Sequence, residues 1–412
     1  MDFGYDETTR DLRERAWAFI EDFVFPAEQY FHDAPVAGAD QWERPAIMAE
    51  LKQQARARGL WNLFLPDSRH GAGLTTLQYA PIAELTGWSP EIAPEAFNCS
   101  PPDTGNMELL SLFGTPDQQQ RWLEPLLNGD IRSAYCMTEP GVSSSDPANL
   151  TTTITDEGDH WRIDGRKWWS TGGMSSDCRL LVVMGVSDPD ADPRTRHSLV
   201  LVPRETPGVT VERGLHIFGF THGAHGGHAE IRFDNVRVPK QNLLGERGRG
   251  QALAQARLGP GRIHHCMRMI GMAERALELM CLRADQRSAF GKRLADHGIV
   301  QHWIAESRVK IDQLRLFVLR TAWLIDTVGA REARTEISAI KVAAPAAVGW
   351  VLDKAIQTHG AEGMTQDHPL AMLWAQARTM RFIDGADEVH RMVLATREVR
   401  GHLDGTRRPI RA

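Results

Sequence analysis

An α+β fold is predicted, with an N-terminal α-helical domain over residues 1–133, a central antiparallel β domain over 134–246 and a C-terminal four-helix bundle over 247–412. Three observations carry it. Apolar residues recur every three or four positions up to about Arg132, every second position from Ala134 to about Glu246, and every three or four again from Gly259. A chain of 412 residues also exceeds what one core usually organises. Turn residues cluster within and around the central part, where strands need them.

The elements follow in order. Leu12, Ala16, Phe19, Ile20 and Phe23 form the stripe of a first helix that Pro26 is expected to end. A second helix is expected over 45–58, stopped at Gly59, with LFLPDSRHGAG as a connecting loop. Helices over 105–113 and 116–127 follow, the latter with Thr115 as cap and Pro116 in its first turn. Segments 180–186, 198–202 and 231–238 read as strands, and TTTITDEGDHWRIDG as a hairpin. Gly-Pro-Gly at 259–261 is expected to open a helix whose stripe is Ile263, Cys266, Ile270, Ala273, Leu277 and Met280. Similar stripes over 304–328 and 337–351, with a shorter one over 370–381, complete a bundle.

Composition narrows the function classes. The 47 basic and 53 acidic residues are well mixed, with formal net charge −6 and no basic block to track a phosphate backbone, so no nucleic-acid partner is expected. Five scattered cysteines without a C-x-x-C pair read as reduced thiols. With a charged N-terminus and no stretch judged apolar enough to span a bilayer, a cytoplasmic protein without a membrane partner is expected.

The stretch from Ala134 to Gly173 carries the chemistry. Its first part offers Thr138, Ser143, Ser144 and Ser145 hydroxyls and open amides near Gly141, suited to a ring edge and to phosphate oxygens. Trp168 and Trp169 alternate across a strand, so one indole can lie against a flat aromatic cofactor. The segment THGAHGGHAE places His222, His225 and His228 three apart. Threaded with glycines and without a nearby carboxylate or thiolate set, it reads as a turn rather than a metal site. His264 and His265 either face a pocket or a neighbouring helix.

These residues resemble the acyl-CoA dehydrogenase family. Thr138-Glu139-Pro140 through Ser145-Asp146 is similar to the family's T-E-P-x-x-G-S-D with one residue added, and Lys167-Trp168-Trp169-Ser170-Thr171-Gly172 to its K-x-W-I-T-N-G. FNCSPPDTGNMELLSLFG and WLEPLLNGDIRSAYCMTEP resemble the branch fused in animals to an aminoglycoside-phosphotransferase-like kinase domain. The resemblance implies FAD, held by Tyr135, Met137, Thr138, Ser144, Ser145, Trp169, Ser170 and Thr171, with Ala386 and Glu388. It also implies a homodimer or homotetramer. Arg287 and Phe290 of an R-x-x-F-G-K segment, and Gln357 and Gly360 of a loop similar to Q-x-x-G-G-x-G, would reach a neighbouring subunit's flavin. Departures occur at Gly298 and Ala361, where the family usually has glutamine and glycine.

Ser145, Gly261, Arg262 and Gly385 would meet the acyl-CoA substrate, and an arginine at a helix start favours an anion. A surface ion pair is the alternative for Arg262. Asp384 falls where many members carry the catalytic glutamate, and the other family position for a base is Gly261 here. Alternatively Asp384 caps a helix or pairs with an arginine while Asp387 or Glu388 acts. The implied reaction is α,β-desaturation of an acyl-CoA with electrons passed to an electron-transferring flavoprotein, the branch being associated with 4-hydroxy and 4-phospho substrates. Two other readings stay open: an oxidase resembling nitroalkane oxidase, whose base is an aspartate, and a flavin-binding interaction protein without catalysis.

Overall fold

The computed structural model describes residues 4–33 and 41–405. Its helices are α1 (Glu7–Phe19), α2 (Phe25–Asp33), α3 (Ile47–Ala57), α4 (Thr76–Thr86), α5 (Ala93–Ala96), α6 (Asp103–Phe113), α7 (Pro116–Gln118), α8 (Glu124–Asn128), α9 (Gly250–Gln286), α10 (Gly298–Val328), α11 (Arg334–His359), α12 (Leu370–Thr379) and α13 (Asp387–Leu403). The strands are β1 (Arg132–Cys136), β2 (Thr153–Asp156), β3 (His160–Thr171), β4 (Cys178–Val186), β5 (His197–Pro203), β6 (Val209–Leu215), β7 (His228–Pro239), β8 (Leu243–Leu244), β9 (Ser288–Ala289) and β10 (Lys292–Arg293). They form two compact units: one of residues 14–74 and 91–261, the other of residues up to 13, 75–90 and from 262 onward. By contacts, α4 joins the helices that follow residue 261.

In the first unit an eight-stranded sheet runs β6-β7-β3-β2-β4-β5-β8, with β1 on β4. The core is built from Ile154, Trp161, Ile163, Val183, Val200, Ile231, Phe233 and Val236, all buried. The expectation of an antiparallel domain needs one correction, since β1 runs parallel to β4 and Thr153 of β2 pairs Val186 in the same sense. Parallel neighbours require a long connection, and the β2–β3 hairpin between them supplies it.

Several expected boundaries are also corrected. Pro26 does not end the first helix: a π-turn over Ile20–Val24 shifts the register, and the proline falls in the first turn of α2, where its missing N–H costs nothing. The helix expected over 116–127 is likewise interrupted by a π-turn, Gln119–Leu123, after a Thr115 capping box with Gln118.

Gly-Pro-Gly does not open a helix. The 37-residue α9 begins at Gly250 and runs through Pro260, so Arg262 sits inside a helix and the argument from unpaired terminal amides does not apply to it. Helix α11 lies at the centre of the second unit, with Ile337, Ile340, Ala344, Val348 and Val351 buried. Segment 334–364 contains an 18-residue window of mean hydropathy 1.3, long and apolar enough to cross a membrane by composition alone. That corrects the expectation that no such stretch exists. The window is half buried within the fold, as a helix flanked on several sides by others requires. The stripe expected over 370–381 is α12, and a further long helix, α13, follows it.

Candidate functional site

The first group of site residues lies in the sheet unit, where β1 ends and β3 ends beside it. Glu139 is buried and accepts from Thr151 N (2.8 Å), Thr151 Oγ1 (2.7 Å), Thr152 N (2.9 Å) and Lys167 Nζ (2.8 Å). Lys167 Nζ also donates to Met137 O (2.8 Å), and Trp168 N donates to Thr138 O (2.9 Å). The loop carrying Met137 and Thr138 is therefore tied to the strand carrying Trp169. Burial works against the Glu139 charge, but Lys167 and the hydroxyl and amide donors hold its carboxyl down to about 2. Burial lowers Lys167, with Glu139 opposing.

Trp169 occupies the left-handed region at φ 51°, within an irregularity of the β3–β7 pairing between Lys167 and Ser170. Bulky residues rarely adopt that conformation, and a bulge re-aims the side chain. The indole is 40% exposed. The buried Trp168 Nε1 has no hydrogen-bond partner among the described residues, so one donor remains unused beneath it. Thr171 is half-buried, and Tyr135 stacks under the Arg257 guanidinium at 4.3 Å. Ser144 and Ser170 are used differently from what their residue types suggested. Ser144 Oγ accepts Glu139 N (2.9 Å) and so braces the loop, while Ser170 lies wholly in the interior. Ser145 is exposed.

The histidines of the glycine-rich segment do not converge on one point. His225 Nδ1 meets Ser100 Oγ (3.1 Å), His228 Nδ1 meets Thr171 Oγ1 (3.0 Å), and His228 Nε2 meets His222 Nδ1 (3.4 Å). Among the described residues no three His, Cys, Asp or Glu side chains are grouped to hold a metal ion. Burial pushes His222 down to about 4 and His225 and His228 to about 3, so all three are neutral imidazoles at neutral pH.

The second group lies in the helical unit. Asp384 sits between α12 and α13 at φ 58°, and its side chain is 13% exposed. Its carbonyl accepts Arg262 Nε (2.9 Å), and His390 Nε2 lies 3.3 Å from the same oxygen. Its carboxylate Oδ2 lies 3.6 Å from His265 Nε2. Asp384 therefore does not cap α13, whose N-cap is Ala386, and Arg262 binds its main chain. Asp387 is buried between Arg381 (3.5 Å) and Arg391 (3.6 Å), while Glu388 points outward and is largely exposed. Gly385 has φ 110°, and a Cβ there would meet His390 Nε2 at 2.9 Å. Burial lowers Arg262, with Asp384 opposing, and burial brings His390 to about 4.

Lys341 was not recognisable as part of this group. It interrupts the apolar stripe of α11 between Ile340 and Ala344, which is the signal that could have found it. It is buried and donates to Met380 O, and burial lowers it against the pull of Cys266, Asp384 and Asp387. His264, left undecided by sequence, packs edge-on against Tyr79 at 5.0 Å, while His265 is the one that meets Asp384. Gly261 falls in the other unit, one residue before Arg262.

Arg287 and Phe290 stand on the β9–β10 hairpin, Phe290 at φ 52° and 98% exposed. His297 Nε2 lies 3.0 Å from Ala289 O and braces the hairpin. The segment from Gln357 to Gly363 ends α11 and is held by Glu362, which pairs with Arg283 and with His368 (2.9 Å). Gln357 and Gly360 are exposed.

Residues 6–130, 134–236 and 248–399 match models described as the N-terminal, middle and C-terminal domains of acyl-CoA dehydrogenase. The chain is 52% identical over 400 residues to the Mycobacterium tuberculosis protein FadE2, whose name is that of an acyl-CoA dehydrogenase, covering 97% of each. It is 48% identical over 401 residues to acyl-CoA dehydrogenase family member 11 of Rattus norvegicus, covering 96% of this chain and 51% of that one. It thus spans about half the length of that animal relative. A solved acyl-CoA dehydrogenase structure from Mycobacterium abscessus superposes with TM-score 0.94 at 48% identity, covering 97% of this chain and all of that one.

Proposed function

Because the chain belongs to the acyl-CoA dehydrogenase family, we propose that it desaturates an acyl-CoA thioester between its α and β carbons, with Asp384 as the base. The family's members are FAD-dependent oxidoreductases acting on CH–CH groups. The residues present fit that cofactor: Trp169 offers an indole face, Trp168 Nε1 an unused buried donor, and Thr171 a hydroxyl at the end of the same strand. FAD would supply the hydride acceptor.

The observation that carries the reading is the Asp384 carboxylate, enclosed to 13% exposure, fixed through its own main chain with Arg262 directed at its carbonyl and the His265 imidazole 3.6 Å from Oδ2. That arrangement leaves the carboxylate available to take an α-proton. Arg262 and His390 hold the carbonyl of a left-handed residue in place, and His265 orients Oδ2. His265 of α9 stands beside it, where a plain hydrocarbon tail would call for an apolar side chain. This favours a substrate polar near its reacting carbons, such as a 4-hydroxy or 4-phospho acyl-CoA. Arg262 would meet its CoA or acyl part, with Gly385 giving room.

Electrons would leave to an electron-transferring flavoprotein. Phe290, fully outside the described chain's packing, supports a homodimer or homotetramer in which Arg287 and Phe290 meet a second copy's FAD. Anaerobic titration of the purified FAD protein with straight-chain, branched, 4-hydroxy and 4-phospho acyl-CoAs tests the proposal. Bleaching of the flavin by a CoA thioester is expected, fastest with 4-substituted ones. Bleaching by nitroalkanes alone, or by none of these compounds, overturns it.

A further inference from the structure

The histidine pair beside Thr171 forms a chain with a defined direction. His228 is the first residue of β7 and pairs with Thr171 of β3. Its ring joins Thr171 Oγ1 through Nδ1 at 3.0 Å and His222 Nδ1 through Nε2 at 3.4 Å. Among the described residues the buried Nε2 of His222 has no hydrogen-bond partner, and the carboxylate Oε1 of Glu91 lies 4.0 Å from it. The backbone holds this arrangement tightly. Gly227 N donates to His222 O (3.1 Å), Gly172 N to Gly227 O (2.9 Å) and Met174 N to Gly226 O (3.0 Å). A Cβ on Gly227 would strike Trp42 at 2.3 Å.

A neutral imidazole has one donor nitrogen and one acceptor nitrogen, whereas a carboxylate only accepts. Fixing the end of the chain therefore fixes every link. The Glu91 carboxylate, at 4.0 Å too far for a hydrogen bond, favours by its charge the His222 tautomer with the proton on Nε2, which leaves His222 Nδ1 as acceptor. His228 must then carry its proton on Nε2, and its Nδ1 accepts from Thr171. The Thr171 hydroxyl is thereby committed as donor inward, and only its lone pairs remain for anything outside the sheet.

We infer that Glu91, His222 and His228 are positioning residues that make Thr171 a hydrogen-bond acceptor toward the flavin edge, favouring the reduced cofactor, whose ring carries an N–H there, over the oxidised one. This rests on the reading of Thr171 as flavin-facing. Burial of both rings keeps them neutral, as the chain requires. No proton is transferred; the device acts by orientation alone.

Two measurements test it. In the flavin-stripped full chain, ¹⁵N imidazole shifts should show His222 and His228 both as Nε2–H tautomers; an Nδ1–H ring at either position overturns the inference, whatever Thr171 faces. In the FAD-containing protein, Glu91→Ala should weaken reduced relative to oxidised flavin about tenfold, a fall of about 30 mV in the two-electron potential. Thr171→Val should remove the effect of Glu91→Ala in the double variant. A potential altered by Thr171→Val but not by Glu91→Ala defeats the positioning role alone. A potential indifferent to Thr171→Val defeats the flavin-facing reading and the inference with it.

Discussion

The strand-borne group around Trp169 and the carboxylate group around Asp384 solve the placement of reactive parts in opposite ways. In the strand-borne group, the charge of Glu139 is cancelled at contact distance by Lys167 and three further donors, and the histidines are neutral. In the helical unit, Asp384 is held through its backbone and its side-chain oxygens stay sparingly engaged, with Arg262 and Lys341 nearby but directed at carbonyls. A group built to hold a ligand neutralises its charges, whereas a base would keep its carboxylate in reserve. The difference teaches where substitutions should hurt the fold and where they should hurt only turnover.

The sharpest break should come at Asp384. Asp384→Asn is expected to keep yellow flavin and an unchanged unfolding transition, yet slow anaerobic bleaching by acyl-CoA by about a thousandfold or more, as loss of a positioned base allows. Bleaching near the wild-type rate would remove Asp384 from the mechanism. Next in size is Glu139→Ala in the other group. It strands Lys167 in the interior and should cost about 3–5 kcal/mol in urea unfolding, with flavin lost as the loop loosens. Near-normal stability would show that the ion pair braces nothing.

Arg262→Ala tests whether holding a main-chain oxygen matters to chemistry. It should lower kcat or raise KM about 10- to 100-fold with flavin retained, because a misplacement of about 1 Å is that costly. Loss of flavin with turnover intact would assign Arg262 to the cofactor instead.

The smallest effect within any one pH unit concerns acid. The unfolded chain takes up protons on His225 below about pH 6.5, while the folded one refuses them until about 3. Stability should therefore be full above pH 6.5 and decline as pH falls through that window. His225→Asn, which retains a partner for Ser100, should flatten the decline by about 1.4 kcal/mol per pH unit. Parallel pH–stability curves for the two proteins would contradict this.

Legibility in the sequence followed periodicity and local chemistry. Strands β3 and β7 and the stripes of α10 and α11 could be read because half of each faces outward. Helix α4 could not, since nearly all its residues from Tyr79 to Thr86 are buried and no face is polar. Asp384 was legible from its place in a motif; His265, Lys341 and His390, which surround it, come together only through tertiary packing of α9, α11 and α13. Gly-Pro-Gly misled because proline signals a helix start only when nothing upstream already supplies the turns.

The crossing of α4 and α9 within the helical unit leaves no room for a side chain on either side. A Cβ on Gly271 would fall 1.9 Å from Glu84 O, and one on Gly87 would fall 1.9 Å from Arg268 O. Each backbone is the other's wall, so mutation at one glycine has no compensating reduction to recruit at its neighbour. Lineages of this chain can exchange residues that α9 presents, such as His265 beside Asp384, but cannot slide the helix that presents them. The crossing thus confines the accessible evolutionary paths to side-chain replacement on a fixed rail.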